Sequence, residues 1–165
     1  MKVMNHIERI SNLEINQILR DRASPLYEGI YSIDNIPFEY LNQKKHFIVV
    51  CNLARQGNYG THFIVIVYDD GHMFYLDSLA PPQEFVNLIF LRFRPTKVSF
   101  LKRPLQSTYS HACGYYCIFF VLYFDRIMTN REVDFILPFS LTNPLINDSI
   151  CMSNLSMLEN IYETE

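Results

Sequence analysis

The sequence predicts an α+β domain in which a central, mainly antiparallel sheet is flanked by helices. Three observations lead there. β-Branched and aromatic residues crowd the middle of the chain, from HFIVVCNL (46 to 53) through THFIVIVYDDGHMFYLDS (61 to 78). Apolar residues recur at helical spacing near the start. A second helical stretch, 110 to 126, is apolar almost all round and reads as a buried helix. The chain has 165 residues, 49% apolar and 19% charged, which suits one folded domain spanning 1 to 165.

Taken in order, Ile7, Ile10, Ile15, Ile18 and Leu19 predict an opening helix over 4 to 21, ended by Pro25. GIYSIDNIPF (29 to 38) reads as loop or short strand, with Pro37 as a breaker. HFIVVCNL is a buried strand, and ARQGNYG after it a loop. Two further strands are joined by Asp70-Gly71, a favoured two-residue hairpin turn because both positions need positive φ. That turn pairs Asp69 with His72, Val67 with Phe74 and Ile64 with Asp77. His62 then sits diagonal to Asp77 on one face of the sheet, within reach of long side chains. A slip of one residue would put the two on opposite faces. QEFVNLIFLRF (83 to 93) fits a helix after Pro81-Pro82, TKVSFLKR (96 to 103) a strand, and 130 to 137 and 152 to 162 weaker helices.

Composition narrows the function. A formal net charge of −3 gives nucleic-acid binding no bulk support, although Arg92, Arg94, Lys97, Lys102 and Arg103 form a local basic patch. The four cysteines are too sparse for a disulfide scaffold, and no spacing supports a metal site. No cofactor is expected. The charged, amphipathic N-terminus is unlike a signal peptide, and Cys117 to Phe124 is too short to span a bilayer, so no membrane partner is expected.

Residues 106 to 117, QSTYSHACGYYC, carry the chemistry. Ser107, Thr108 and Ser110 are good helix starters, which places Cys113 in or near a first helical turn where the dipole favours a thiolate. Gly114 would leave room above the sulfur for a substrate carbonyl. A buried thiol is the ordinary fate of a free cysteine, and Cys51, Cys117 and Cys151 read that way. A nucleophilic thiol also needs a base, an orienting group and oxyanion donors. His62, Asp77, the Gln106 amide and the Cys113 backbone N–H are the candidates. Among rivals, His111 has no evident orienting acid, His72 adjoins the hairpin turn, and His46 and His6 stand in no motif. Asp69 and Asp70 read as turn formers, and Asp77 alone could be only a strand-end cap.

The order His62, Asp77, Gln106, Cys113 resembles the adenovirus-type cysteine endopeptidases (adenain), including relatives in viral-like DNA transposons, and more distantly the proteases of ubiquitin-like proteins. The likeness lies in GTHFIVIVY, YLDSLAPP, QSTYSHACGYYCIFF, GIYSIDNIPF and the tail NPLINDSICMSNLSMLENIY, and runs from about residue 7 to 162. It implies a papain-like, adenain-like fold with Cys113 as nucleophile at the N-terminus of a buried helix and His62 as base. Asp77 would orient the imidazole, and Gln106 with the Cys113 amide would form the oxyanion hole. Phe63 would wall a narrow cleft that takes small residues such as Gly next to the cut. The implied activity is limited proteolysis of capsid and core precursor proteins during virion maturation, in the virion and the host nucleus or cytoplasm, by a monomer. The chain departs from adenain in having Phe63 where the family has Trp and Asp77 where it has Glu. No Cys lies in 94 to 105, so an activating peptide, if there is one, is not disulfide-linked, and DNA as an activator stays open. A deubiquitinase or deSUMOylase-like isopeptidase, or a non-catalytic binding domain on the same fold, are the alternatives.

Overall fold

The computed structural model describes residues 9–53, 62–79, 87–107, 111–130, 139 and 143–162. Helix α1 spans Asn12–Arg22. Its start is set by a capping box, in which Ser11 accepts from the Glu14 N–H and the Glu14 carboxylate accepts from the Ser11 N–H. Ile10 therefore lies before the helix, although it continues the apolar spacing and is buried. Strand β1 is Tyr27–Ser32, the short helix α2 Phe38–Leu41, and strand β2 His46–Asn52. Strands β3 (Phe63–Asp69) and β4 (His72–Leu76) form the hairpin. Helix α3 (Asn87–Phe93) and strand β5 (Lys97–Phe100) follow, then the long helices α4 (Cys113–Asn130) and α5 (Pro144–Tyr162). The loop expected at 54 to 60 and the helix expected at 130 to 137 fall outside the described residues, apart from Asn130 at the end of α4.

The five strands lie in chain order, β1-β2-β3-β4-β5. The middle pairs β2–β3 and β3–β4 are antiparallel, and both outer pairs are parallel. The parallel edges arise because β1 reaches β2 through α2, and β4 reaches β5 through the segment holding α3. Both faces are covered, which is why these strands read as continuous apolar runs instead of alternating ones. Ile48, Val50, Phe63, Val65 and Val67 pack with α1, α4 and α5. Phe47, Val49, Cys51, Ile64 and Ile66 pack on the other side with α2 and α3. The structure is thus a mixed α+β domain with its sheet between helical layers.

One buried carboxylate ties the chain start to this core. Asp125 on α4 accepts from both the backbone N–H and the hydroxyl of Ser24, in the loop between α1 and β1. Asp125→Ala leaves the Ser24 donors unpaired and should cost about 1–3 kcal/mol, whereas Asp125→Asn should cost less. Equilibrium urea unfolding of the two variants measures the difference.

Candidate active site

The hairpin register is the one the turn predicts: Asp69 pairs with His72, Val67 with Phe74 and Val65 with Leu76. Asp70 and Gly71 both hold positive φ, 45° and 93°. His62 stands immediately before β3 and Asp77 immediately after β4, so both lie at the end of the sheet opposite the turn. His62 is fixed by its backbone carbonyl, which accepts from the Leu53 N–H at 3.0 Å. His62 Nε2 donates to Asp77 Oδ1 at 2.7 Å. The same oxygen accepts from the Leu79 N–H at 2.9 Å. Asp77 is buried at 4% exposure, so the carboxylate is held in place by two donors.

Nε2 is thereby committed, and Nδ1 is the nitrogen left for the thiol. Nδ1 is buried and has no hydrogen bond of full geometry, yet Cys113 still acts on the ring. Burial lowers the His62 pKa, but the bond to Asp77 and the nearness of the Asp77 carboxylate and the Cys113 sulfur outweigh it and push it up to about 9. The arrangement favours the charged form of the His62 ring.

Cys113 is the first residue of α4. The Tyr116 N–H reaches back to the Ala112 carbonyl at 3.0 Å, so the first turn closes directly over the cysteine. Thr108 and Ser110, read as helix starters, lie outside the described residues. The other thiols are held protonated by burial, which pushes Cys51 up to about 12 and Cys151 and Cys117 also upward. Their reading as packed core thiols agrees with this.

Gln106 is buried, with its side-chain Oε1 accepting from the Ser78 hydroxyl at 2.6 Å. Its segment is pinned from below by α5. The Ser107 N–H donates to Asp148 Oδ1 at 3.3 Å, Tyr116 of α4 donates to the same oxygen at 2.8 Å, and Asn147 donates to the Leu105 carbonyl at 3.1 Å. Sequence reasoning missed Ser78, Asn147 and Asp148. LDS reads as a strand end and PLINDSIC as a helix with a polar face, and neither carries a spacing that marks a site.

Gly114 and Phe63 lie against each other at the start of α4. The space left by the missing Cβ of Gly114 is occupied by Ile10, whose Cγ2 would be 2.3 Å from it, with Ile15 at 3.1 Å and Phe63 at 3.7 Å. The glycine thus admits the segment before α1, and Phe63, 6% exposed, packs inward against the same spot. Of the rival histidines, His111 accepts from Arg9 at 3.2 Å on the surface, His46 pairs with Asp69 at 2.8 Å, and His72 bonds Ser99 at 2.8 Å. His6 lies outside the described residues. Within the basic patch, Arg92 and Arg94 line a cleft of about 690 Å³ beside Asp70 and Gly71, at the turn end of the sheet and away from His62. Among the described residues no three His, Cys, Asp or Glu side chains are placed to hold a metal ion, and no helix is long and apolar enough to cross a membrane.

No family model matches the chain, and no curated protein matches it in sequence. Solved structures do. The SUMO protease Ulp1 with its catalytic cysteine oxidised to a sulfinic acid matches at TM-score 0.51 and 13% identity, over 91% of this chain and 78% of that one. The C-terminal Ulp1 protease domain in complex with Smt3, the yeast ortholog of SUMO, matches at TM-score 0.51 and 15% identity, over 78% and 69%. The fold is therefore that of a Ulp1-like cysteine protease. This likeness is to the more distant of the two groups that the sequence resembles.

Two measurements check the geometry. The His62 ring, followed by NMR, should titrate near pH 9, and Asp77→Asn should move its midpoint down. Because the folded-state value is raised, the stability from this pair is full below pH about 6.5 and is lost as pH rises through about 9. Gly114→Ala should destabilise by about 1–3 kcal/mol through overpacking against Ile10, and Ile10→Ala in the same chain should recover part of its effect. Additive losses in the double variant would show that the two do not compete for that space.

Proposed function

We propose that this protein is a thiol peptidase in which Cys113 attacks the substrate carbonyl. The observation that carries the reading is the 2.7 Å bond from His62 to the buried Asp77, with Cys113 acting on the same imidazole. The Cys113 thiolate forms a bond to the carbonyl carbon, and the electron pair moves to the oxygen. The Gln106 amide and the Cys113 N–H receive that oxyanion. Collapse expels the amine, which takes the proton from His62 Nδ1. Water then attacks the thioester, giving its proton to His62 and returning the cysteine as thiolate. Asp77 holds the imidazole and favours its charged form. A non-catalytic binding domain would have no need of all four groups.

For the substrate, the reading with more support is an isopeptidase or processing protease acting on a ubiquitin-like protein. Its support is the fold shared with a SUMO protease that has been captured with a SUMO ortholog. The second reading, maturation cleavage of viral or viral-like capsid and core precursors beside small residues, is favoured by the seven-residue separation of Gln106 from Cys113-Gly114 and by the GTHFIVIVY and YLDSLAPP segments. Localisation to virion and host cell belongs to that second reading alone.

The test uses ubiquitin-like proteins carrying a C-terminal electrophile, and peptides with Gly at the cut. Wild type should form an adduct at Cys113, while Cys113→Ala or His62→Ala should lower peptide turnover by about 10³-fold or more. If Cys113 reacts with a thiol alkylator no faster than Cys151, and Cys113→Ala keeps turnover, the thiol peptidase reading is lost. Adduct formation with short Gly peptides but with none of the ubiquitin-like probes would favour the precursor reading. The alkaline limb of kcat/KM should fall near pH 9 and move to lower pH in Asp77→Asn, because turnover stops when the imidazolium loses its proton.

A further inference from the structure

Resting on the thiol peptidase reading, we infer that Ser78 is a positioning residue that fixes which end of the Gln106 amide faces the reacting carbonyl. A glutamine amide has two nearly isosteric orientations related by a flip. With the NH₂ toward the oxyanion it stabilises developing negative charge, and with the oxygen there it repels it. Something has to decide between the two, and it must act on the oxygen.

Ser78 is placed to do so. Its hydroxyl donates to Gln106 Oε1 at 2.6 Å, and that oxygen is its side-chain partner among the described residues. Ser78 is 1% exposed and Gln106 2%, so water is not on hand to satisfy either group. In the flipped amide the hydroxyl would have to accept, and its own proton would lose its acceptor. That loss in a buried site holds one orientation about 5- to 150-fold over the other. The backbone of Ser78 acts in the same direction. Its carbonyl accepts from the Leu105 N–H at 2.8 Å and the Gln106 N–H at 2.9 Å, so the whole residue is bonded to the segment that carries the amide. Asp77 and Ser78 are adjacent, so a single dipeptide sets the imidazole with one side chain and the amide with the next.

The test separates positioning from mere support. Ser78→Ala should lower kcat on a peptide substrate by about 10- to 100-fold with KM little changed, since only transition-state stabilisation is weakened. Alkylation of Cys113 by iodoacetamide forms no oxyanion and should keep its wild-type rate. In a Gln106→Ala background Ser78→Ala should add nothing further, and Ser78→Thr, which keeps the hydroxyl, should recover most of the turnover. The inference is overturned if kcat is unchanged, if alkylation falls in parallel with kcat, or if the Ser78→Ala loss persists in full without Gln106. If wild type shows no turnover on any substrate, the peptidase reading fails on its own terms. The Gln106 side-chain amide signals in NMR then still report on Ser78. One sharp NH₂ pair that shifts or broadens in Ser78→Ala supports the clamp, and an unchanged pair overturns it.

Discussion

The register of the β3–β4 hairpin is the constraint on which the rest depends. Side chains alternate faces with period two, so a single-residue slip would separate His62 from Asp77 completely. What prevents the slip is a turn at the far end of both strands, where Asp70 and Gly71 hold positive φ. The same turn also sets the next strand. The Gly71 carbonyl accepts from the Thr96 N–H at 2.8 Å and from its hydroxyl at 3.1 Å, and a Cβ on Gly71 would stand 2.9 Å from that hydroxyl oxygen. Strand β5 therefore starts from the turn that fixes β4, and the segment carrying Gln106 follows from β5. The positions of His62, Asp77 and Gln106 are all referred back to the two residues of that turn.

Around the site, polar groups enter an interior that is otherwise aliphatic and aromatic. Each such group costs free energy unless it is bonded. Asp77, Ser78, Gln106, Asn147 and Asp148 are all buried, and each has a partner. The partners come from four different elements or their ends, so the bonds that lower the burial cost also fix where β4, the Gln106 segment, α4 and α5 meet. Tyr116 shows the economy of this arrangement, since its ring fills the core while its hydroxyl reaches Asp148.

Much of this was legible in the sequence because the signals were local. A two-residue Asp-Gly turn dictates its register, and the β-branched runs mark the strands. The buried α4 reads from its all-round apolar content, and the pairing of His62 with Asp77 follows from arithmetic on the turn. Helix α1 starts later than the apolar period continued by Ile7 and Ile10 predicts. Capping chemistry at Ser11 and Glu14 overrides that period, and Ile10 instead packs on Gly114. The parallel edges were not legible, since parallel pairing depends on where a crossover returns the chain and not on any local pattern. Ser78, Asn147 and Asp148 were missed for a related reason. Their partners are 28, 42 and 32 residues away, and no short-range rule connects such positions.

A neutral amide suits the oxyanion position proposed for Gln106. In the proposed chemistry the nucleophile is ready only while the proton stays on His62. Burial works against that charge, and the Asp77 carboxylate and the Cys113 sulfur restore it, leaving the ring pKa near 9. A lysine or arginine in the place of Gln106 would bind an oxyanion more strongly. It would also repel the imidazolium and compete for the thiolate, undoing the ion pair before substrate arrives. An amide avoids that conflict because it has no charge. Its weakness is that it can present either end. A charged donor needs only to be near, whereas a neutral one has to be oriented, and a buried hydroxyl bonded to its oxygen is the simplest group that can orient it.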